Sequence, residues 1–221
     1  MAEGPHPPVV TIAALYGASG SVIGPRVAAQ LGVALLDRQI PEAVARRWGL
    51  SEESVAAVDD EPRSGVERLV SSLARATTMS GGTGGSAEQL DVKERRLRGY
   101  IEEFLAESAV SGGVTIGRGG MVVLRSVAWA LHVHLGGPRE ARLRVRMERD
   151  GIDRATAENR QKAEDGYRMG YVRRAYAVDG GDPRFYHLML DTTAIDVETC
   201  VELIVTASRA RTRRPKSSQT I

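Results

Sequence analysis

Apolar and polar positions along this chain switch repeatedly between a strand-like and a helix-like spacing. Val9 to Leu15, VVTIAAL, is a short run rich in β-branched residues, as expected of a strand buried on both faces. A glycine-rich stretch from Tyr16 to Gly24 follows, then RVAAQLG, which predicts a helix over 26–31 closed by Gly32. VALLD, 33–37, is a second short strand ending in an acid. Helical spacing returns over 41–49, with Ala43, Val44, Ala45 and Trp48 on one stripe, and again over 66–78. SGGTGGSA at 80–87 has the composition of a flexible loop, and 88–110 is a long helical pattern carrying Leu97, Ile101, Phe104 and Leu105 on one side.

The second half repeats the alternation. GGVTIGRGG, 112–120, encloses a strand between glycines, and WALHVHL, 129–135, is a nearly continuous apolar run. Pro138 to Asp150 predicts a helix with proline at its start and Gly151 after it, and 156–176 a long arginine-bearing helix. YHLMLD, 186–191, is the last strand. Asp196 then caps a helix through Ser208, with Val197, Cys200, Val201, Ile204 and Val205 turned inward. Strand alternating with helix throughout argues for a parallel sheet covered on both faces, in which ligands bind at the carboxyl ends of the strands. The informative residues should therefore follow Leu15, Leu36, Ile116, Leu135 and Leu190.

Composition narrows the function. A chain of 221 residues with 42% hydrophobic side chains is long enough for one α/β domain around a real core. Residues 1–8, with three prolines, read as a loose leader, and 209–221 as a basic disordered tail. Thirty Lys and Arg against 28 Asp and Glu leave a net charge of +2, and aromatics are 5%, which argues against a nucleic-acid surface. One cysteine, Cys200, excludes an internal disulfide and a local cysteine metal site. No apolar run approaches the ~20 residues needed to span a bilayer, and no signal peptide is evident, so a cytoplasmic protein is expected. The helix at 88–110 has apolar surface enough either to pair with a second copy in a homodimer or to line its own core.

The loop Gly17-Ala18-Ser19-Gly20-Ser21-Val22-Ile23-Gly24 lies between the first strand and the first helix. Glycines there allow left-handed backbone, successive amides form an anion nest, and the helix start adds positive charge, so a phosphate is the natural occupant. Gly17, Ser19, Gly20, Ser21 and Gly24 are the residues that would cradle it. The full nucleotide signature G-x-x-x-x-G-K-[ST] is not met: Val22 and Ile23 stand at the second glycine and the lysine, and no Ser or Thr follows. The nearest lysine is Lys93, whereas arginine is abundant over 139–174. Guanidinium forks bind phosphate oxygens in pairs and can replace the missing charge. Arg142, Arg146 and Arg149 alternate with Glu140, Glu148 and Asp150 and read as a solvated face of surface pairs. His132 and His134 share one strand face without a third metal ligand, and Cys200 reads as core.

The segments IAALYGASGSVIG, LLDR at 35–38, TIGRGG at 115–120, DGYRMGYVRRAY at 165–176 and DGGDPRFYHLMLDT at 179–192 together resemble the cytidylate kinase-like family, a branch of the nucleoside monophosphate kinases. The resemblance covers roughly residues 9–207. It implies a three-layer P-loop kinase-like α/β fold: a five-stranded parallel sheet, helices on both faces, a helical lid over about 152–185, and a helical acceptor-binding region over about 39–110. It implies ATP and Mg2+ as donor and cofactor, and CMP or dCMP as acceptor. Carried over, Asp37, Arg118 and Asp191 face the acceptor nucleotide, with Asp191 equally placed to cap its own loop through Thr192 and Thr193. Arg168, Arg173 and Arg174 belong to the lid and serve the transferring phosphoryl group. Two other readings stand beside this one, motivated by Val22 and Ile23: a catalytically impaired nucleotide-binding or regulatory protein, and a kinase of another small metabolite.

Overall fold

The computed structural model describes residues 5–36 and 87–213. The chain forms two compact units, one of residues 36–107 and the other of residues 1–35 with 108–221. The helices expected over 41–49 and 66–78, the loop at 80–86, the acid Asp37 and the last eight residues lie outside the described residues. The smaller unit is represented here chiefly by helix α2 (Ala87–Ser111), in which Ile101 and Leu105 are buried and Arg98 pairs with Glu102 one turn on at 3.6 Å.

The larger unit is built on a parallel sheet. Its strands are β1 (Val9–Ala14), β2 (Gly113–Ile116), β3 (Leu131–Gly136) and β4 (Leu188–Asp191), in the order β2-β1-β3-β4. Thr11 lies opposite Thr115 on one side and His132 on the other, and Leu135 opposite Leu190. Among the described residues the sheet has four strands, not the five expected. Where the second strand was predicted, Leu35 makes a single parallel bridge to Val114 on the outer edge of β2. Val33 still belongs to the turn after α1, its amide bonded to the Ala28 carbonyl, and Ala34 accepts from the Val114 amide.

Side chains at alternate positions divide the sheet into two faces. Val10, Ile12, Val114, Val133, Leu135 and Leu190 point to one face, where α1 (Gly20–Leu31) and α6 (Val197–Thr212) bury Ile23, Val27, Cys200, Val201 and Ile204 against them. Thr11, Thr115 and His132 point to the other, beneath the short α3 (Gly120–Val123), where a methyl on Gly120 would sit 3.1 Å from Thr11. α4 (Arg139–Asp150) and α5 (Arg154–Tyr176) pack on each other beyond β3. Cys200 is core, as its helical spacing predicted.

The boundaries that differ most from the sequence reading are those of α1, the tail and the leader. α1 starts at Gly20, six residues earlier than predicted, and carries Pro25 inside it. α6 runs through Arg209 to Thr212, so the tail begins later than 209: Arg211 donates to the Ala130 and Ala128 carbonyls, and Thr212 is buried. The leader is anchored as well, because His6 stacks on Trp129 at 4.0 Å and the Pro8 carbonyl accepts from Gly113.

Candidate functional site

With β2 on one side of β1 and β3 on the other, the direction of strand addition reverses at β1, and the crevice beyond its carboxyl end is the topological switch point. The glycine loop opens there. Leu15 still bonds to Leu135 across the sheet at 3.1 Å, and Ala18 turns back to the Leu15 carbonyl at 3.0 Å. Gly17 has φ 79° and Ser19 φ 56°, both left-handed, and Ser19 is the N-cap residue of α1. For a serine that conformation costs on the order of 1 kcal/mol, and its hydroxyl makes no capping bond in return. The Val22 and Ile23 amides share the Ser19 carbonyl at 2.9 Å, while no side chain caps the leading amides of the turn. Those donors lie at the positive end of a 12-residue helix, a position suited to an anion.

Side chains from α4 and α5 grip the segment that leads into this loop. Asp165 Oδ1 accepts from the Tyr16 amide at 2.8 Å. Arg142 Nη1 donates to the Tyr16 carbonyl at 2.5 Å and to Asp165 Oδ2 at 3.0 Å, and its Nε donates to the Gly137 carbonyl at 3.0 Å. Arg168 Nη1 donates to the Ala14 carbonyl at 2.8 Å, and its Nη2 to Glu164 at 2.9 Å. Gly17 passes so close to the Arg142 backbone that an added methyl would overlap the Arg142 carbonyl. The Arg146 guanidinium lies 4.8 Å above the Tyr16 ring, and Tyr16 is 2% exposed. Arg142 is therefore not part of a solvated face: at 6% exposure it is a buried cation with three acceptors around it. Its helix places it over the loop, and a buried guanidinium is stable only where such partners surround it.

The other strand ends supply neighbouring groups. After β2, Gly117, Arg118 and Gly119 all have positive φ, 78°, 57° and 65°. This tight hairpin of backbone holds Arg118 half-buried, and the last turn of α5 seals it: Tyr176 donates to the Arg118 carbonyl at 3.3 Å, and its ring fills the space a Gly119 side chain would take. After β4, Asp191 Oδ1 accepts from the Thr193 hydroxyl at 2.6 Å and the Thr193 amide at 2.9 Å. These bonds hold the Asp191 carboxyl below its usual range, so of its two readings the capping one is realised in this state. Beside the loop, burial and the Arg142 charge push the His134 imidazole below its ordinary pKa, which keeps it neutral. Tyr186, edge-on to His134 at 5.1 Å, has its phenol pushed up to about 12 by burial and Asp179.

The structure thus brings Gly17, Ser19, Gly20, Ser21 and Arg168 to one strand exit and places Arg118 and Asp191 at the exits of β2 and β4. Gly24 lies apart from that loop: it is buried in α1, where a side chain would strike Ile116, so its missing Cβ serves packing of helix on sheet. Arg173 and Arg174 lie on the exposed side of α5, and Asp37 is outside the described residues. Sequence reasoning passed over Arg142, Asp165 and Tyr16. The signal was present in the D-x-x-R spacing of 165 and 168, which sets an acceptor and a donor on one helical face. Among the described residues no three His, Cys, Asp or Glu side chains are grouped to hold a metal, and no helix is long and apolar enough to cross a membrane.

A glycine loop at the switch point of a parallel sheet, overlaid by an arginine-bearing helix, defines the chain as an α/β protein with a candidate site at its strand exits. The sequence profile of the cytidylate kinase-like family matches residues 9–194, and the chain belongs to that family. A solved structure of an uncharacterized protein from Eubacterium ventriosum aligns with a TM-score of 0.60 at 18% identity, covering 90% of this chain and 96% of that one. A shikimate kinase from Acinetobacter baumannii, solved with shikimate, aligns more distantly, with a TM-score of 0.43 at 14% identity over 90% of this chain and 91% of that one. A curated protein from Corynebacterium glutamicum named uronate isomerase is 28% identical over 120 residues, 54% of this chain. The match spans 23% of that protein's own length.

Proposed function

We propose that this protein transfers the terminal phosphoryl group of ATP to a nucleoside monophosphate, with CMP or dCMP as acceptor. The observation that carries the reading is the loop at the exit of β1. It combines two left-handed residues, uncapped amides at the start of α1, and the Arg168 guanidinium held on its rim. Those amides suit the donor phosphates, and the hydroxyls of Ser19 and Ser21 are the oxygen ligands the loop offers to Mg2+. A bound Mg2+ would neutralise phosphate charge. Phosphoryl transfer needs alignment and positive charge more than covalent help. Arg168 sits at the loop on the Ala14 carbonyl, a bond it would exchange for a phosphate oxygen, and Arg173 and Arg174 are exposed further along the same helix. Arg118, in its left-handed turn, and Asp191, at the end of β4, take the acceptor together with Asp37.

The test is ADP release followed across CMP, dCMP, UMP, AMP and GMP. CMP or dCMP is expected to be the best acceptor, and no turnover with any of the five would end this proposal. Arg118→Ala should raise the acceptor KM at least tenfold and leave the ATP KM within twofold; an unchanged acceptor KM removes Arg118 from the site. A second reading is favoured by the engagement of Arg168 with Ala14 and Glu164 in a loop that lacks a lysine. In that reading the protein binds nucleotide without turning it over, and calorimetry with ATP separates the two.

A further inference from the structure

We propose that Asp165 and Arg142 are positioning residues that set the donor-phosphate loop in its binding shape, acting through the Tyr16 peptide; this rests on the loop being the ATP site. Three backbone polar groups of the strand exit are bonded by charged side chains of α4 and α5. Ala14 offers its carbonyl to Arg168, and Tyr16 offers its amide to Asp165 and its carbonyl to Arg142. Arg142 also holds the Gly137 carbonyl, at the exit of β3. One guanidinium thus ties together the two strand exits that border the switch point, and Asp165 is bonded to both that guanidinium and the loop. The grip falls on Tyr16, immediately before the left-handed Gly17, and leaves the leading amides of α1, at Gly20 and Ser21, to a ligand. A loop with left-handed residues and no capping side chain keeps one shape only where its surroundings over-determine it. Asp165 and Arg142 are those surroundings, and neither has to touch the nucleotide to govern its affinity.

The geometry separates this role from general support of the fold. Asparagine at 165 retains an acceptor for the Tyr16 amide and loses the charge facing Arg142; alanine loses both. Lysine at 142 retains a charge and loses the fork that reaches three acceptors. ATP binding to the full-length protein is measured by calorimetry for wild type, Asp165→Ala, Asp165→Asn, Arg142→Lys and the remote control Arg154→Ala, whose target Glu140 is exposed. Circular dichroism first establishes that each variant is folded.

Asp165→Ala should weaken ATP binding at least tenfold, Asp165→Asn about threefold and Arg142→Lys between three- and tenfold, with the control unchanged. In steady state the loss should appear in the ATP KM, with the CMP KM within twofold; a purely structural role would lower the melting temperature or the active fraction and leave both KM values alone. Folded Asp165→Ala and Arg142→Lys variants that bind ATP as wild type does would overturn the inference while the kinase reading stands. Should Asp165→Ala prove unfolded, the graded Asn and Lys variants decide the question by the same criterion. A wild type that binds no ATP would overturn the kinase reading and this inference together.

Discussion

Gly17 shows how one residue can be fixed from two directions. Its φ of 79° is open to glycine and strained for alanine, and its missing Cβ makes room for the Arg142 carbonyl. Gly17→Ala should therefore destabilise the protein by more than about 1 kcal/mol, read from urea unfolding, and abolish ATP binding at millimolar nucleotide. A variant of wild-type stability would show that the loop readily adopts another path. His132 makes a prediction of a different kind. It is buried, bonded through Nδ1 to the Thr11 hydroxyl at 2.8 Å and stacked on His187. Burial, with His187, Arg211 and Arg125 nearby, lowers its pKa from 6.5 to about 4. Between those two values the unfolded chain binds a proton that the folded one refuses, so acidification favours unfolding. Stability should be full above pH 6.5 and fall toward pH 4 by on the order of 3 kcal/mol. Urea midpoints at pH 7.5, 5.5 and 4.5 should show that slope, and His132→Asn should flatten it; an equal slope in the variant would assign the effect elsewhere. At this scale the sequence was only partly legible. The charge alternation around Arg142 is real, but two of its acceptors, on Tyr16 and Asp165, come from distant segments that the spacing around Arg142 does not announce.

Elements were more readable than their roles. α4 ends at Gly151 in left-handed backbone, α6 starts at Asp196 with its carboxylate on the Thr199 amide, and both follow from capping chemistry visible in the chain. The start of α1 was missed because glycine and proline argue against a helix, whereas here Gly20 and Gly24 are selected by contact with Ala14 and Ile116. Tertiary packing overrides propensity at that place. α5 carries a related conflict, with Gly166 and Gly170 in the interior of a 23-residue helix. A side chain at Gly166 would meet nothing within 4 Å, so Gly166→Ala should stabilise the protein by about 1 kcal/mol in thermal or urea unfolding. A loss of stability instead would mean that the helix needs to bend at that glycine.

The whole molecule was legible in outline, because strand and helix alternate at a spacing that only a covered parallel sheet satisfies. Strand number was not, since a run as short as 33–35 looks the same whether it forms a ladder or one bridge. Family membership gives the kinase-like class, and the identity of the acceptor is what the assays proposed above decide. One consequence at this scale comes from α5. Asp165 fastens it to the mouth of β1 and Tyr176 fastens it to the mouth of β2. The eleven helical steps between those fastenings make a strut about 16 Å long. One helix thus braces two neighbouring strand exits, so a substitution that shifts it should disturb both together.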